Sequence, residues 1–295
     1  MFHKLVGVTS TLVFAVAIAQ AADSAPVRPN LTAAEIANKN VEARGGLSAW
    51  RAVQSLSMEG KLGAGGNQRN PIPQPLPDKK MDKLRFPSRP AEEAQLPFEM
   101  DMARPRKAHF QIKFNGKTAI QVYDGTNGWK LRPYLNRLDV EPFTAEELKV
   151  SSMQPELDGP LVDYAAKDTR IELEGMEKVE ERDAYRLKLT LKDGRALHVW
   201  IDAHSFLEAK IEGQPRRLDG IDHPVEVHYR DYRNVKGLQI PFILETKVLP
   251  STKKSAVRET PIPSEKIVIE SVVVNPKLDA SFFSKPQPSA ALSHD

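Results

Sequence analysis

Cysteine is absent from the 295 residues. Its absence excludes disulfides, a thiol nucleophile and lipid attachment to an N-terminal cysteine. A charge excess of one sign is missing too, since 42 basic residues face 39 acidic ones. So small a surplus, spread along the chain, argues against both nucleic acid and an acidic partner. Long hydrophobic runs are lacking beyond residue 18. The one at the start, Leu5 to Ile18, follows Lys4 and precedes Ala19-Gln20-Ala21, small residues at the spacing a signal peptidase requires. Residues 1–21 therefore read as a cleaved secretory signal peptide, too short to span a bilayer comfortably. The mature chain from residue 22 is expected to be soluble, in an oxidising compartment.

Catalytic signatures are missing as well. No two histidines stand four apart around a glutamate on a helix, and no Gly-x-Ser-x-Gly elbow is present. Gly63-Ala64-Gly65-Gly66 lacks the lysine and hydroxyl residue of a phosphate loop and reads as a turn. His109, His198 and His228 fall on expected strands and could meet across a sheet. Without a third ligand they are expected on the solvent side, so no metal is assigned. Asp101, Asp124 and Asp202 lie near strand ends, where turn and cap roles are expected. No cofactor and no enzymatic activity are expected.

Alternation is what the chain has in abundance. Tyr185, Leu187, Leu189 and Leu191, then Leu197, Val199 and Ile201, then Leu207, Ala209 and Ile211 occupy every second position. This places them on one face of a meander and Arg186, Lys188, Thr190, Glu208 and Lys210 on the other. Asp193-Gly194 and Asp202 to Ser205 make its turns. Similar runs at residues 56–62, 98–102, 110–114, 120–122, 129–131, 225–229, 240–244 and 267–274 bring the expectation to about ten or eleven strands at hairpin spacing.

Helices are few. Thr32 to Glu35 and Thr144 to Glu147 have capping-box spacing, Leu47 to Val53 reads as a short helix carrying Trp50, and Leu161 to Ala166 as a weaker helical turn. Residues 63–97 hold Pro71, Pro73, Pro75 and Pro77 and read as a proline-rich excursion, either a surface loop or a lid. Residues 249–263 resemble a shorter loop, and 285–295 a frayed tail.

Ten strands with three or so inward residues each present on the order of thirty apolar side chains, each costing about 1.5–3 kcal/mol to leave in water. That face must be covered. Two sheets packed as a sandwich would leave no space inside; a curved sheet wrapped around a few short helices would leave an apolar cavity. Periodicity does not choose between them.

Particular residues bear on the choice. Ala43-Arg44-Gly45-Gly46-Leu47-Ser48-Ala49-Trp50-Arg51-Ala52-Val53-Gln54-Ser55-Leu56 resembles the opening of outer-membrane lipoprotein-sorting proteins, periplasmic relatives of the carriers LolA and LolB. Arg104-Pro105-Arg106-Lys107, Tyr123-Asp124-Gly125 with Gly128-Trp129, and Asp158 to Tyr164 follow in matching order. Asp231 to Val235, Gly237 to Pro241, and Leu278-Asp279 with Phe282 complete the series. The 63–97 stretch departs from the family pattern by its length, and no cargo-releasing arginine is carried over.

The resemblance implies a mainly β (α+β) single domain over residues 22–295: an unclosed antiparallel β-barrel with a short helical lid or plug. It implies a periplasmic carrier or chaperone for a lipoprotein acyl chain or another amphiphile, with inner- or outer-membrane proteins that load or receive cargo. A monomer is expected. The candidate lining is Met58, Met100, Phe110, Ile112, Val122, Leu187, Leu189, Val199 and Leu207, with the helices around Ile36 and Leu161 as the lid. Methionines and aromatics at these positions serve equally as plain core or as adaptable lining for a flexible chain. A lipid contact by the basic cluster 104–107 at the cavity mouth is the alternative to a solvated lead-in to a strand. Other outcomes are an envelope-stress or lipid sensor on the same fold, and a packed β-domain without ligand.

Overall fold

The computed structural model describes residues 31–65, 93–133, 137–154, 156–218, 220–251 and 264–287. The expected signal peptide, the centre of the 63–97 excursion and the end of the expected tail lie outside them.

Helix α1 (Ala33–Ala43) starts where its capping box stands: the Thr32 hydroxyl accepts the Glu35 amide at 3.2 Å, and the Glu35 carboxylate accepts the Thr32 amide at 2.7 Å. Ile36, Ala37, Asn40 and Val41 form its buried stripe. At its end a Cβ on Gly45 would fall 2.4 Å from the Gly237 carbonyl oxygen, and Gly45 has φ 117°; only glycine fits there. Helix α2 (Leu47–Ala52) follows and buries Trp50.

Among the described residues fifteen strands follow: β1 (Ser55–Gly65), β2 (Glu93–Ala103), β3 (Lys107–Phe114), β4 (Lys117–Tyr123), β5 (Gly128–Arg132), β6 (Arg137–Pro142), β7 (Arg170–Val179) and β8 (Arg182–Thr190). Then come β9 (Ala196–Asp202), β10 (Glu208–Glu212), β11 (Arg216–Leu218), β12 (Ile221–His223), β13 (Val225–Val235), β14 (Leu238–Val248) and β15 (Glu265–Val274). Thirteen form one antiparallel sheet in the order β6-β5-β4-β3-β2-β1-β15-β14-β13-β10-β9-β8-β7, and β11 pairs with β12 apart from it. The first strand joins the last, Leu56 opposite Val274. The sheet stays open between β6 and β7, so the barrel is unclosed. Helix α3 (Ala145–Ser152) and the turns at 157–168 occupy the connection between those two edges.

The strands missing from the expectation are β6, β7, β11 and β12. β6 and β7 are the sheet's edges and alternate only briefly, Leu138 and Val140 on β6 and Ile171 and Leu173 on β7, before Pro142 ends the first and a register shift between Leu173 and Gly175 interrupts the second. Leu138 and Leu173 stay exposed on these edges. The excursion expected from 63 to 97 is narrower, because β1 continues to Gly65 and β2 begins at Glu93. The expected helical turn at 161–166 is a run of turns instead of a helix, although Leu161 and Val162 have no exposed surface. Burial holds it in place together with the Arg51 guanidinium, which donates to the Asp163 carboxylate at 2.9 and 2.6 Å.

The main core gathers Val41, Trp50, Val53 and Val162 against Leu56, Phe98, Leu238, Ile240 and Phe242. Each such side chain contributes roughly 1.5–3 kcal/mol. Among the described residues no helix is long and apolar enough to cross a membrane.

Candidate ligand cavity

Register sets one wall. Met58 stands opposite Met100 and Met100 opposite Phe110, giving an apolar row across β1, β2 and β3. β14 and β15 add Leu244 and Ile267, and Leu157 and Pro160 close in from the connection between the sheet edges. Between them lies a mostly apolar cavity of about 570 Å³. Sites for small ligands span roughly 300–1,000 Å³.

Of the residues expected to line such a space, Met58, Met100, Phe110, Val122 and Val199 border it. Val122 pairs in register with His109 and Trp129, across the strand from Gln121, so it reaches the cavity at the strand itself. Ile112, Leu187, Leu189 and Leu207 do not border it. Ile112 packs on the main core, Leu187 and Leu189 are fully buried, and Leu207 sits half-buried in the turn before β10. Helix α1 lies on that side: the Asn40 amide donates to the Phe206 carbonyl at 2.8 Å, and the Lys39 ammonium sits over the Phe206 ring.

The basic cluster at 104–107 is spent largely on the protein itself. Arg104 donates to the Asp158 carboxylate at 2.7 Å and to the Val53 carbonyl at 2.9 Å, and pairs with Glu156 at 3.3 Å. Arg106 donates to the Ser152 carbonyl at 2.8 Å. Lys167 donates to Asp158 at 2.7 Å. The arginine bonds to Asp158, Glu156 and Ser152 clamp the segment after α3 onto the β2–β3 turn beside the cavity, and the Lys167 bond holds that segment together.

The inner end of the cavity is polar, contrary to the face assignment made from alternation. Glu208 is expected outside; it points in and pairs with Arg44 at 3.2 Å, each side chain 9% exposed. The cause is a register shift between Glu208 and Lys210, which sends Ala209 to the outer cluster with Val179, Ala184 and Trp200. That outer face is thus partly apolar, Trp200 lying under the Lys210 ammonium.

Arg44 is held on four sides. Its carbonyl accepts from Gln239 and from the Trp50 indole, its guanidinium donates to the Asp158 carbonyl at 2.7 Å and stacks 4.3 Å over the Trp50 ring. A Cβ on Gly159 would come within 3.2 Å of it. Tyr232 donates its hydroxyl to Glu208, at 3.0 Å from the carbonyl and 3.2 Å from the carboxylate. Tyr229 borders the cavity as well. Asp231 between them has φ 54°, which breaks the strand's alternation and lets both tyrosines reach one space. Burial, and then the Glu208 carboxylate, push both hydroxyls above the usual tyrosine range, so they stay protonated.

The three histidines do not converge. His198 contacts Glu212 and Glu174, His228 contacts Glu226 and Glu180, and His109 lies against Phe282 near Asp101. Among the described residues no cluster of three His, Asp or Glu is arranged to hold a metal ion. Asp124 accepts the amides of Thr126 and Asn127, and Asp202 those of His204 and Ser205, which makes both turn residues. Asp101 is different, buried beside His109.

The sequence matches no protein-family model and no curated protein. Solved structures similar to the chain include a LolA superfamily protein from Nitrosomonas europaea, 14% identical over 86% of this chain and 98% of that one, with a TM-score of 0.49. A DUF1329 family protein from Desulfovibrio piger is 12% identical over 86% and 97%, with a TM-score of 0.50. An outer membrane lipoprotein-sorting protein domain from Vibrio parahaemolyticus is 11% identical over 85% and 95%, with a TM-score of 0.48. At such identities the likeness is one of fold. Among the described residues the chain forms the unclosed antiparallel barrel expected of it.

Proposed function

We propose that the protein is a periplasmic carrier or chaperone that holds the acyl chain of a lipoprotein, or another amphiphile, in the cavity without covalent chemistry. The observation that carries this reading is an apolar chamber of about 570 Å³ inside a sheet whose edges are not joined. A packed β-domain would have filled it. Binding is burial: each methylene that leaves water contributes ~0.8 kcal/mol, so one long chain supplies micromolar or better affinity after ordering costs.

The cargo would contact Met58, Met100, Phe110 and Val199. Opening would lift the segment after α3, parting Asp158 from Arg104 and Arg44 together. Loading and receiving would involve inner- or outer-membrane proteins, export would use residues 1–21 as a cleaved signal peptide, and the carrier would act as a monomer.

Two measurements test this. Protein purified from native periplasm should yield lipid or an acylated polypeptide on solvent extraction and mass spectrometry. The purified protein should also take up the neutral dye N-phenyl-1-naphthylamine, with Phe110→Asp abolishing uptake while the circular dichroism spectrum is kept. No uptake by the wild-type protein sinks the reading.

A further inference from the structure

The inner end of the cavity holds more hydrogen-bonding capacity than an acyl chain can use. Arg44 and Glu208 neutralise one another, and Tyr232 occupies the second carboxylate oxygen of Glu208. Tyr229 borders the same space, and its hydroxyl makes no hydrogen bond with any described residue. A phenol facing an apolar chamber is a hydrogen-bond donor that none of the described residues accepts from, free to serve a ligand there.

We infer that this corner recognises the uncharged carbonyl of an acyl ester or acyl amide, with the Tyr229 hydroxyl as its donor. The inference rests on the carrier reading above and names the chemistry of its ligand. Charge decides between head groups. A carboxylate brought to the corner would meet Glu208, and an ammonium would meet Arg44; either adds an uncompensated charge to a chamber whose own charges already cancel. An ester or amide carbonyl brings no charge and needs one donor. The cavity mouth offers no competing anion site at Arg104 or Arg106, both engaged by Glu156 and by backbone carbonyls.

The test is displacement of N-phenyl-1-naphthylamine from the full-length protein, below the micellar concentration of each competitor. 1-Palmitoylglycerol and N-palmitoylglycinamide should displace it at least about tenfold more tightly than palmitate or hexadecyltrimethylammonium. Preference for the glycerol ester points to a free neutral lipid, and preference for the amide to an N-acylated polypeptide. Tyr229→Phe should cut ester and amide affinity about five- to tenfold relative to palmitate, measured against the variant's own dye affinity. Glu208→Gln leaves Arg44 uncompensated, so palmitate should gain at least about tenfold and overtake the ester. If that variant unfolds, Tyr229→Phe decides alone. Equal affinity for ester and carboxylate, or a Tyr229→Phe variant with unchanged ratios, overturns the inference while dye uptake leaves the carrier reading standing. Failure of the wild-type protein to bind dye overturns both.

Discussion

The two walls of the barrel differ in what they face. On the β8–β9 wall, Leu187, Leu189, Val199 and Ile201 have no exposed surface, and α1 lies on that side with Ile36 and Ala37 equally buried. On the β1–β3 wall, Met58, Met100 and Phe110 border open space. Both walls are built from alternating apolar residues, so alternation says which side chains point inward and nothing about what meets them. Helix α1 lies on the side of one wall, of which Val199 alone among these four reaches the cavity, and the cavity meets the other. The outer faces differ as well: charged rows cross β7 to β14, where Lys210 pairs with Glu226, and Arg230 bonds both Glu180 and Glu245.

Core truncation should separate the walls most. Leu187→Ala or Leu189→Ala should cost about 2–5 kcal/mol in urea denaturation, because each leaves a void in packed surroundings. Met100→Ala, which only widens existing space, should cost less than half as much. Equal costs would mean that the β1–β3 wall is ordinary core.

Acid should come next, acting on the β13–β14 side. Hydrogen bonding from His228 and Lys210 outweighs burial and holds Glu226 at about 2; at Glu245, burial acts the other way but Arg230 and Lys247 overcome it and also bring it to about 2. Folded values below the unfolded ones mean that the stabilisation is full above about pH 4.5 and is lost as pH falls towards 2. Each group should contribute on the order of 1–3 kcal/mol. Hydrogen exchange at pH 3 should therefore accelerate in β13 and β14 more than in β2 and β3; the reverse order would remove the outer charge rows as a source of the difference.

The smallest effect is expected at the opening between β6 and β7. Thr144→Ala removes the cap of α3, whose hydroxyl accepts the Glu147 amide at 3.2 Å, and should cost about 1 kcal/mol. α3 buries none of its residues, so the loss should appear as faster proteolysis of that segment with little change in global unfolding.

Much of this was legible in the residues. The two capping boxes, the Gly45-Gly46 stop and the interior strands follow from rules that act over a few positions, and the structure has them where those rules put them. The edge strands β6 and β7 were missed because each offers only two alternating apolar residues, Leu138 and Val140 or Ile171 and Leu173, before Pro142 or a register shift at Gly175 cuts the pattern short. Glu208 was assigned to the wrong face by one bulged residue, Ala209, since a slip of one position reverses every side chain beyond it. That slip hid the polar corner. Nor does sequence spacing bring Arg44, Glu208 and Tyr229 together; the link is the Gly45 contact with the β13–β14 turn. The tyrosines three apart, Tyr229 and Tyr232 in an otherwise alternating strand, were the available signal.

The pairing of β1 with β15 also bears on when the molecule can exist. The Gln54 amide bonds the Asn275 side chain 221 positions further on, and Leu56, which pairs with Met102 on one side, gains its second ladder partner only when Val274 has arrived. A chain emerging from its N-terminus must keep one edge of β1 waiting until β15 follows, and contacts that distant close slowly. Any route that requires an extended polypeptide finds one ready-made, because the last strand to appear is the one that completes the sheet.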